Sequence, residues 1–191
     1  WLATDAIAEG HKQPFAGSEI EAVDALDSLL QHSVKRQMAA DVPLGAFLSG
    51  GVDSSAIVAL MQAQSTKSVQ TFSIGFDEPE YNEANYAAAV AQHLGTVHTE
   101  LYVTAEDAIS IIPELPDVYD EPFADSSQIP TILVSRLAAA NLTVALSGDG
   151  GDELFGGYSR YFLAARLWSR VSLIPKPLRQ ALGRVVSSIP A

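Results

Sequence analysis

The 191-residue chain contains no cysteine. That excludes a disulfide framework and any thiolate metal site, and it is compatible with a reducing cytoplasm. Basic residues are also scarce: 11 Lys and Arg stand against 23 Asp and Glu, for a net charge of −12. Nucleic acid is therefore not expected as a partner, since counterion release needs a basic surface. No apolar run is long enough to span a bilayer and no secretory pattern opens the chain, so no membrane partner is expected either. The Gly-x-Ser-x-Gly of serine hydrolases is missing. His11, His32, His93 and His98 have no metal-ligating companion at usable spacing. What is present, 48% hydrophobic residues in a chain of one-domain length, fits an α/β protein with a full core.

Residues 1–17 lack clear periodicity and carry Gly10, Pro14 and Gly17, so they read as a linker or arm. Residues 18–191 read as one domain. Ser18 with Glu21 three residues on forms a capping box, and the helix it opens runs to about Ala40, with Ile20, Val23, Leu26, Leu30 and Val34 as its buried face. Strands are expected at Val42–Leu48, Val69–Phe76, Val97–Tyr102 and Leu142–Leu146. Helices are expected at Val52–Gln64, Asn82–Leu94, Asp107–Pro116 and Ser127–Ala140, and then to the end with breaks at Pro175 and Pro177. Strands alternating with helices predict a doubly wound, mostly parallel sheet of about five strands with helices on both faces.

Ser49-Gly50-Gly51-Val52-Asp53-Ser54-Ser55 lies between an apolar strand and an apolar-periodic helix. A strand that turns through Gly and Ser into a helix points successive N–H groups and the helix's positive end at one spot, which makes a phosphate cradle. Ser49, Ser54 and Ser55 offer hydroxyls, and Asp53 puts a carboxylate where phosphates would repel it unless a divalent cation intervenes, so Asp53 implies magnesium. No Gly-Lys-Ser/Thr follows, so the loop is not a Walker A element. The plainer alternative is a Ser/Gly turn whose Asp caps a helix. A second glycine-rich turn, Ser147-Gly148-Asp149-Gly150-Gly151-Asp152-Glu153, follows the last expected strand. Two such turns in one parallel sheet fall at its carboxyl edge, where open α/β folds bind ligands.

With both turns in view, the chain resembles the ATP-pyrophosphatase superfamily, an adenine nucleotide alpha hydrolase-like fold, and within it the synthetase domain of glutamine-dependent asparagine synthetases. The resemblance rests on Val42-Pro43-Leu44-Gly45, Thr71 to Phe76, Ala91 to Thr96, Tyr119-Asp120-Glu121-Pro122 and Ser147 to Tyr158, and covers roughly Ser18 to Tyr161. It implies an ATP-dependent, amide-forming ligase. The aspartate side-chain carboxylate is activated as an acyl-adenylate with loss of pyrophosphate, then trapped by ammonia from an N-terminal glutaminase domain of a longer parent chain. Another carboxylate acceptor, or a nucleotide-binding module without turnover, stays open, and a homodimer is compatible with it.

The resemblance also implies roles for residues. The Ser49–Ser55 loop holds the pyrophosphate end of ATP, and Asp53 and Asp120 share Mg2+. Leu48, Ile74 and Gly75 frame the adenine, while Ser147, Gly148, Asp149 and Gly150 approach the ribose and α-phosphate. Asp152 and Glu153 are expected to cap the following helix or pair locally rather than touch ATP, because their charge would repel phosphates. Asp120 has an alternative as a turn residue ahead of Pro122. Asp117 stands where the family usually carries a Glu that assists the attacking amine. A catalytic base of shorter reach and a plain surface residue are equally open for it. The lysines, Lys12, Lys35, Lys67 and Lys176, fall in no phosphate motif, and the start at Trp1 suggests an excised piece of a longer protein.

Overall fold

The computed structural model describes residues 2–76, 82–122 and 125–180. They fall into two compact units, Trp1–Gly148 and Asp149–Ala191.

The first unit opens with α1 (Ala3–Lys12), a helix within the segment expected to be an arm. α2 (Glu19–Gln37) follows from Ser18, whose hydroxyl accepts from the Glu21 N–H while the Glu21 carboxylate accepts from the Ser18 N–H, so the capping box forms as its spacing demands. Then come β1 (Leu44–Phe47), α3 (Val52–Gln64), β2 (Gln70–Phe76), α4 (Ala84–Leu94) and β3 (Val97–Val103). α5 (Ala105–Ile111), a 3-10 turn and α6 (Leu115–Val118) lead to α7 (Gln128–Ala139) and β4 (Val144–Leu146). β1 is shorter than expected because Pro43 has no N–H for the ladder; its carbonyl instead accepts from Thr143 and Val144.

All pairings are parallel and the strand order is β3-β2-β1-β4, with Ala46 opposite both Thr71 and Leu146. Among the described residues the sheet has four strands rather than about five, because everything described after β4 is turn or helix. The chain winds outward from β1 to β3, then returns to place β4 on the other side of β1. That reversal creates the switch point at which a crevice opens beyond the strand ends. One face packs Ala46 and Leu48 against Val58 and Met61 of α3, Ala87 and Ala91 of α4 and Val34 of α2. The other packs Phe72 and Val103 against Ile132, Leu133 and Ala138 of α7. Helices therefore cover both faces, as the doubly wound reading requires.

Only the last part of α2 joins this core. Val34 is buried and Leu30 half-buried, but Ile20 is 74% and Val23 60% exposed and Leu26 is exposed too, contrary to the expected buried face. Periodicity marks the face a helix could bury, and in this chain nothing described lies over its first three turns.

The second unit holds α8 (Gly151–Phe155), α9 (Ser159–Val171) and a helical stretch over 176–180. The chain leaves the helix at Ser172, before Pro175, and Pro177 lies in the first turn of the next helical stretch, where its missing N–H costs no hydrogen bond. The remainder of the expected C-terminal helix lies outside the described residues.

Candidate functional site

β1 ends one residue before Leu48, whose N–H donates to Phe72 O at 2.9 Å and whose side chain is buried in the core. The turn that follows is shaped from within. Ser54 Oγ accepts from Ser49 N at 3.2 Å and lies 2.9 Å from Ser49 Oγ, while Ser49 Oγ accepts from Gly51 N and Ser54 Oγ donates to Gly51 O. These two hydroxyls, expected as ligand donors, are thus spent on holding the turn. Ser55 Oγ is different: it is buried and has no hydrogen-bond partner. A buried orphan hydroxyl costs roughly 1–3 kcal/mol, so it marks a place where a further acceptor belongs.

Gly51 is the N-cap of α3 and no side chain caps the helix. Asp53, half-buried in the first turn, therefore does not do the capping that the plainer alternative required. The first N–H groups of the helix keep their capacity for an anion. Gly50 has φ of +78°, and a Cβ there would lie 2.6 Å from Tyr86 Cβ and 2.7 Å from Ala87 N, so α4 braces the outer side of the turn.

Gly148, in the same unit, lies against the first turn. A Cβ on Gly148 would lie 2.5 Å from Ser54 N and 2.8 Å from the Asp53 carbonyl carbon. The residue after Ser147, at the end of β4, thus touches the head of α3, and the carboxyl ends of β1 and β4 share one spot. Asp149 and Gly150 belong to the second unit; Gly150, with φ of +89°, is the N-cap of α8. In that unit the Glu153 carboxylate accepts from Tyr158 OH at 2.6 Å, which pushes the phenol up to about 12 and holds the carboxylate below its ordinary range. The Arg160 guanidinium stacks 4.1 Å above the same ring, and a side chain on Gly157 would collide with the Asp152 carboxylate. Glu153 is thus paired locally, and the N-cap residue of α8, Gly150, supplies no side-chain cap.

Ile74 packs its side chain into the core on the α7 side. Gly75 points the other way, where a Cβ would meet the Tyr102 ring at 2.8 Å and Ala84 Cβ at 3.0 Å. Its missing side chain is thus accounted for by two residues the motifs did not flag. Asp117 lies in α6 and Asp120 two residues beyond it, and both are exposed. Among the described residues no group of three or more His, Asp or Glu could hold a metal ion. A magnesium between phosphates needs fewer protein ligands than that, and Asp53, a hard oxygen donor at the open head of α3, fits it.

His98, which no motif absorbed, sits on β3 with its ring 10% exposed. Its Nδ1 lies 2.8 Å from Thr71 Oγ1 and its Nε2 lies 3.1 Å from Ser73 Oγ, with Glu100 at 3.6 Å. Burial lowers its pKa, and Glu100 and the Thr71 contact oppose that shift.

The geometry defines an open α/β domain in which Gly148, beyond β4, meets the head of α3 at the switch point of a parallel sheet, where the N-cap residue Gly51 offers the helix no side-chain cap. Comparison with known proteins narrows the class. The sequence model of the family described as asparagine synthase matches residues 25–189. A putative asparagine synthetase (glutamine-hydrolyzing) of Mycobacterium bovis is 40% identical over 167 residues, 87% of this chain and 25% of that protein. Asparagine synthetase (glutamine-hydrolyzing) 1 of Bacillus subtilis is 36% identical over 180 residues, 93% of this chain and 28% of that protein. Among solved structures, an NH3-dependent NAD synthetase from Campylobacter jejuni aligns at a TM-score of 0.47 and 15% identity, covering 75% of this chain and 62% of its own. The chain belongs to the asparagine synthase family and spans about a quarter of the length of the curated relatives it matches.

Proposed function

We propose that this chain carries the ATP site of an asparagine synthase, a carbon–nitrogen ligase. The observation that carries the reading is the close approach of Gly148 to the head of α3, which brings the carboxyl ends of β1 and β4 to a helix start that has no side-chain cap from Gly51. In the proposed reaction an aspartate carboxylate oxygen attacks the α-phosphorus of ATP. The O–P bond forms, the bond to the bridging oxygen breaks and pyrophosphate leaves. Ammonia from glutamine hydrolysis then adds to the acyl carbon, AMP departs and the extra protons pass to a base, leaving asparagine.

Every reactant but ammonia is an anion, so the protein's contribution is positioning and charge neutralisation rather than a nucleophile. The first N–H groups of α3 and the Ser55 hydroxyl would hold the leaving pyrophosphate. Asp53, with Asp120, would hold Mg2+, whose chemistry is to offset charge on the phosphate oxygens. Leu48, Ile74 and Gly75 would place the base through their backbone, and Ser147 and Gly148 the sugar. Asp117 would take a proton from the incoming amine.

Titration of the 191-residue chain with Mg-ATP tests the nucleotide part: saturable binding is expected, weakened at least tenfold by Asp53→Asn. Binding of ATP with the same affinity by the Asp53→Asn chain would remove that residue from the metal site, and no binding by the unaltered chain would end the proposal. The ligase part is tested separately. Pyrophosphate release that depends on both aspartate and ammonia, in a protein containing this segment, is expected to fall by orders of magnitude in Asp53→Asn and Asp120→Asn.

A further inference from the structure

We infer that Tyr102 is a base-contacting residue of this site, forming an aromatic wall at the outer end of β2; the inference rests on the nucleotide reading above. Tyr102 stands opposite Gly75 in the parallel register of β2 and β3, on the same face of the sheet. The contact with Gly75 is close: a Cβ would lie 2.8 Å from Tyr102 Cε1 and 2.9 Å from Cδ1, so any larger residue would push the ring aside. Yet Tyr102 is 49% exposed, so part of the ring remains open at the carboxyl edge, beside the backbone proposed to read the base.

A half-exposed ring would ordinarily be free to swing. This one is packed flat against the Gly75 backbone, and the neighbouring Glu100 carboxylate raises the pKa of its phenol. Glu100 in turn lies 3.6 Å from His98, which Thr71 and Ser73 hold from β2. His98, Glu100 and Tyr102 thus follow one another along one face of β3 to the strand end, and Ala84, at the start of α4, also lies against Gly75. The result is a preorganised flat apolar surface, which costs a ligand little to use. Its chemistry suits the face of a purine, because stacking on an aromatic ring needs no hydrogen-bonding pattern.

The test separates base from phosphate. The unaltered chain and its Tyr102→Ala and Tyr102→Phe variants are titrated with Mg-ATP, adenosine and magnesium tripolyphosphate, with thermal unfolding followed alongside. Tyr102→Ala is expected to weaken ATP and adenosine at least about tenfold while leaving tripolyphosphate unchanged. Tyr102→Phe, which keeps the ring and loses only the hydroxyl, should stay within a few-fold. Equal binding of adenosine by Tyr102→Ala overturns the inference while the nucleotide reading stands. A parallel loss of tripolyphosphate also overturns it, since Tyr102 would then be acting through the fold. No ATP binding by the unaltered chain ends the nucleotide reading and this inference together.

Discussion

At the scale of single residues, Gly148 acts through the side chain it lacks and His98 through the charge its buried ring avoids. Gly148 is glycine because Ser54 N and the Asp53 carbonyl carbon occupy the space a methyl group would need. Backbone cannot swing aside as a flexible side chain does, so Gly148→Ala must separate the two turns. The expected outcome is a loss of about 1–3 kcal/mol in stability by urea denaturation, the range for overpacking, together with at least tenfold weaker Mg-ATP binding. Unchanged ATP affinity would show that the approach of the turns is incidental to the ligand.

His98 acts through its charge state. Its pKa in the folded chain is lowered by burial, so the fold favours the neutral ring. Its stabilisation is complete above the ordinary histidine value near 6.5 and is lost as pH falls through that value towards the folded one. The groups around it are Thr71, Thr96 and Ser73, whose hydroxyls adapt to either state, and Glu100, which partly opposes the shift. Urea midpoints at pH 7.5 and 5.5 should fall more for the unaltered chain than for His98→Asn. An equal fall in both would assign the acid sensitivity to the carboxylates alone.

At the scale of elements, the best-read parts were those whose signal is local. The capping box of α2 formed as its Ser-x-x-Glu spacing requires, and α3 spans Val52–Gln64 as its apolar period predicted. Ser18→Ala should therefore cost about 1 kcal/mol in chemical denaturation, the usual worth of such a cap. A value near zero would mean that α2's first turns contribute nothing to the cooperative fold. That outcome is worth checking, because Ile20, Val23 and Leu26 on those turns are exposed. Their burial was misjudged for a physical reason: an apolar stripe states a helix's capacity to pack, and only tertiary contacts state whether it does.

The site divides along the same line. The glycine turns were legible because phosphate-binding backbone needs that composition between strand and helix. The internal use of Ser49 and Ser54 was not, since a hydroxyl facing the turn and one facing a ligand have the same sequence. Tyr102 was also invisible. It lies 27 residues from Gly75, and only the β2–β3 register makes them neighbours.

At the scale of the whole molecule, the charge balance makes this an unusual host for a triphosphate. The chain carries −12, and the proposed site rests on helix N–H groups, a hydroxyl and Asp53 rather than on a cluster of lysines. A basic site binds anions partly by releasing counterions, so its affinity falls steeply as salt rises. Here the long-range term has the opposite sign. Protein and Mg-ATP repel each other, and salt screens that repulsion with a Debye length shrinking to about 10 Å at 0.1 M. The attractive contacts act over hydrogen-bond distances and are screened far less. Mg-ATP affinity at about 0.15 M ionic strength should therefore equal or exceed that at about 0.02 M, a range over which the Debye length falls severalfold. Removing magnesium with a chelator should weaken binding at both, because Asp53 then faces the phosphates directly. Calorimetric titrations at the two salt concentrations, with and without chelator, check both expectations. A tenfold drop in affinity with salt would show that cations of the chain, not the helix head, hold the nucleotide.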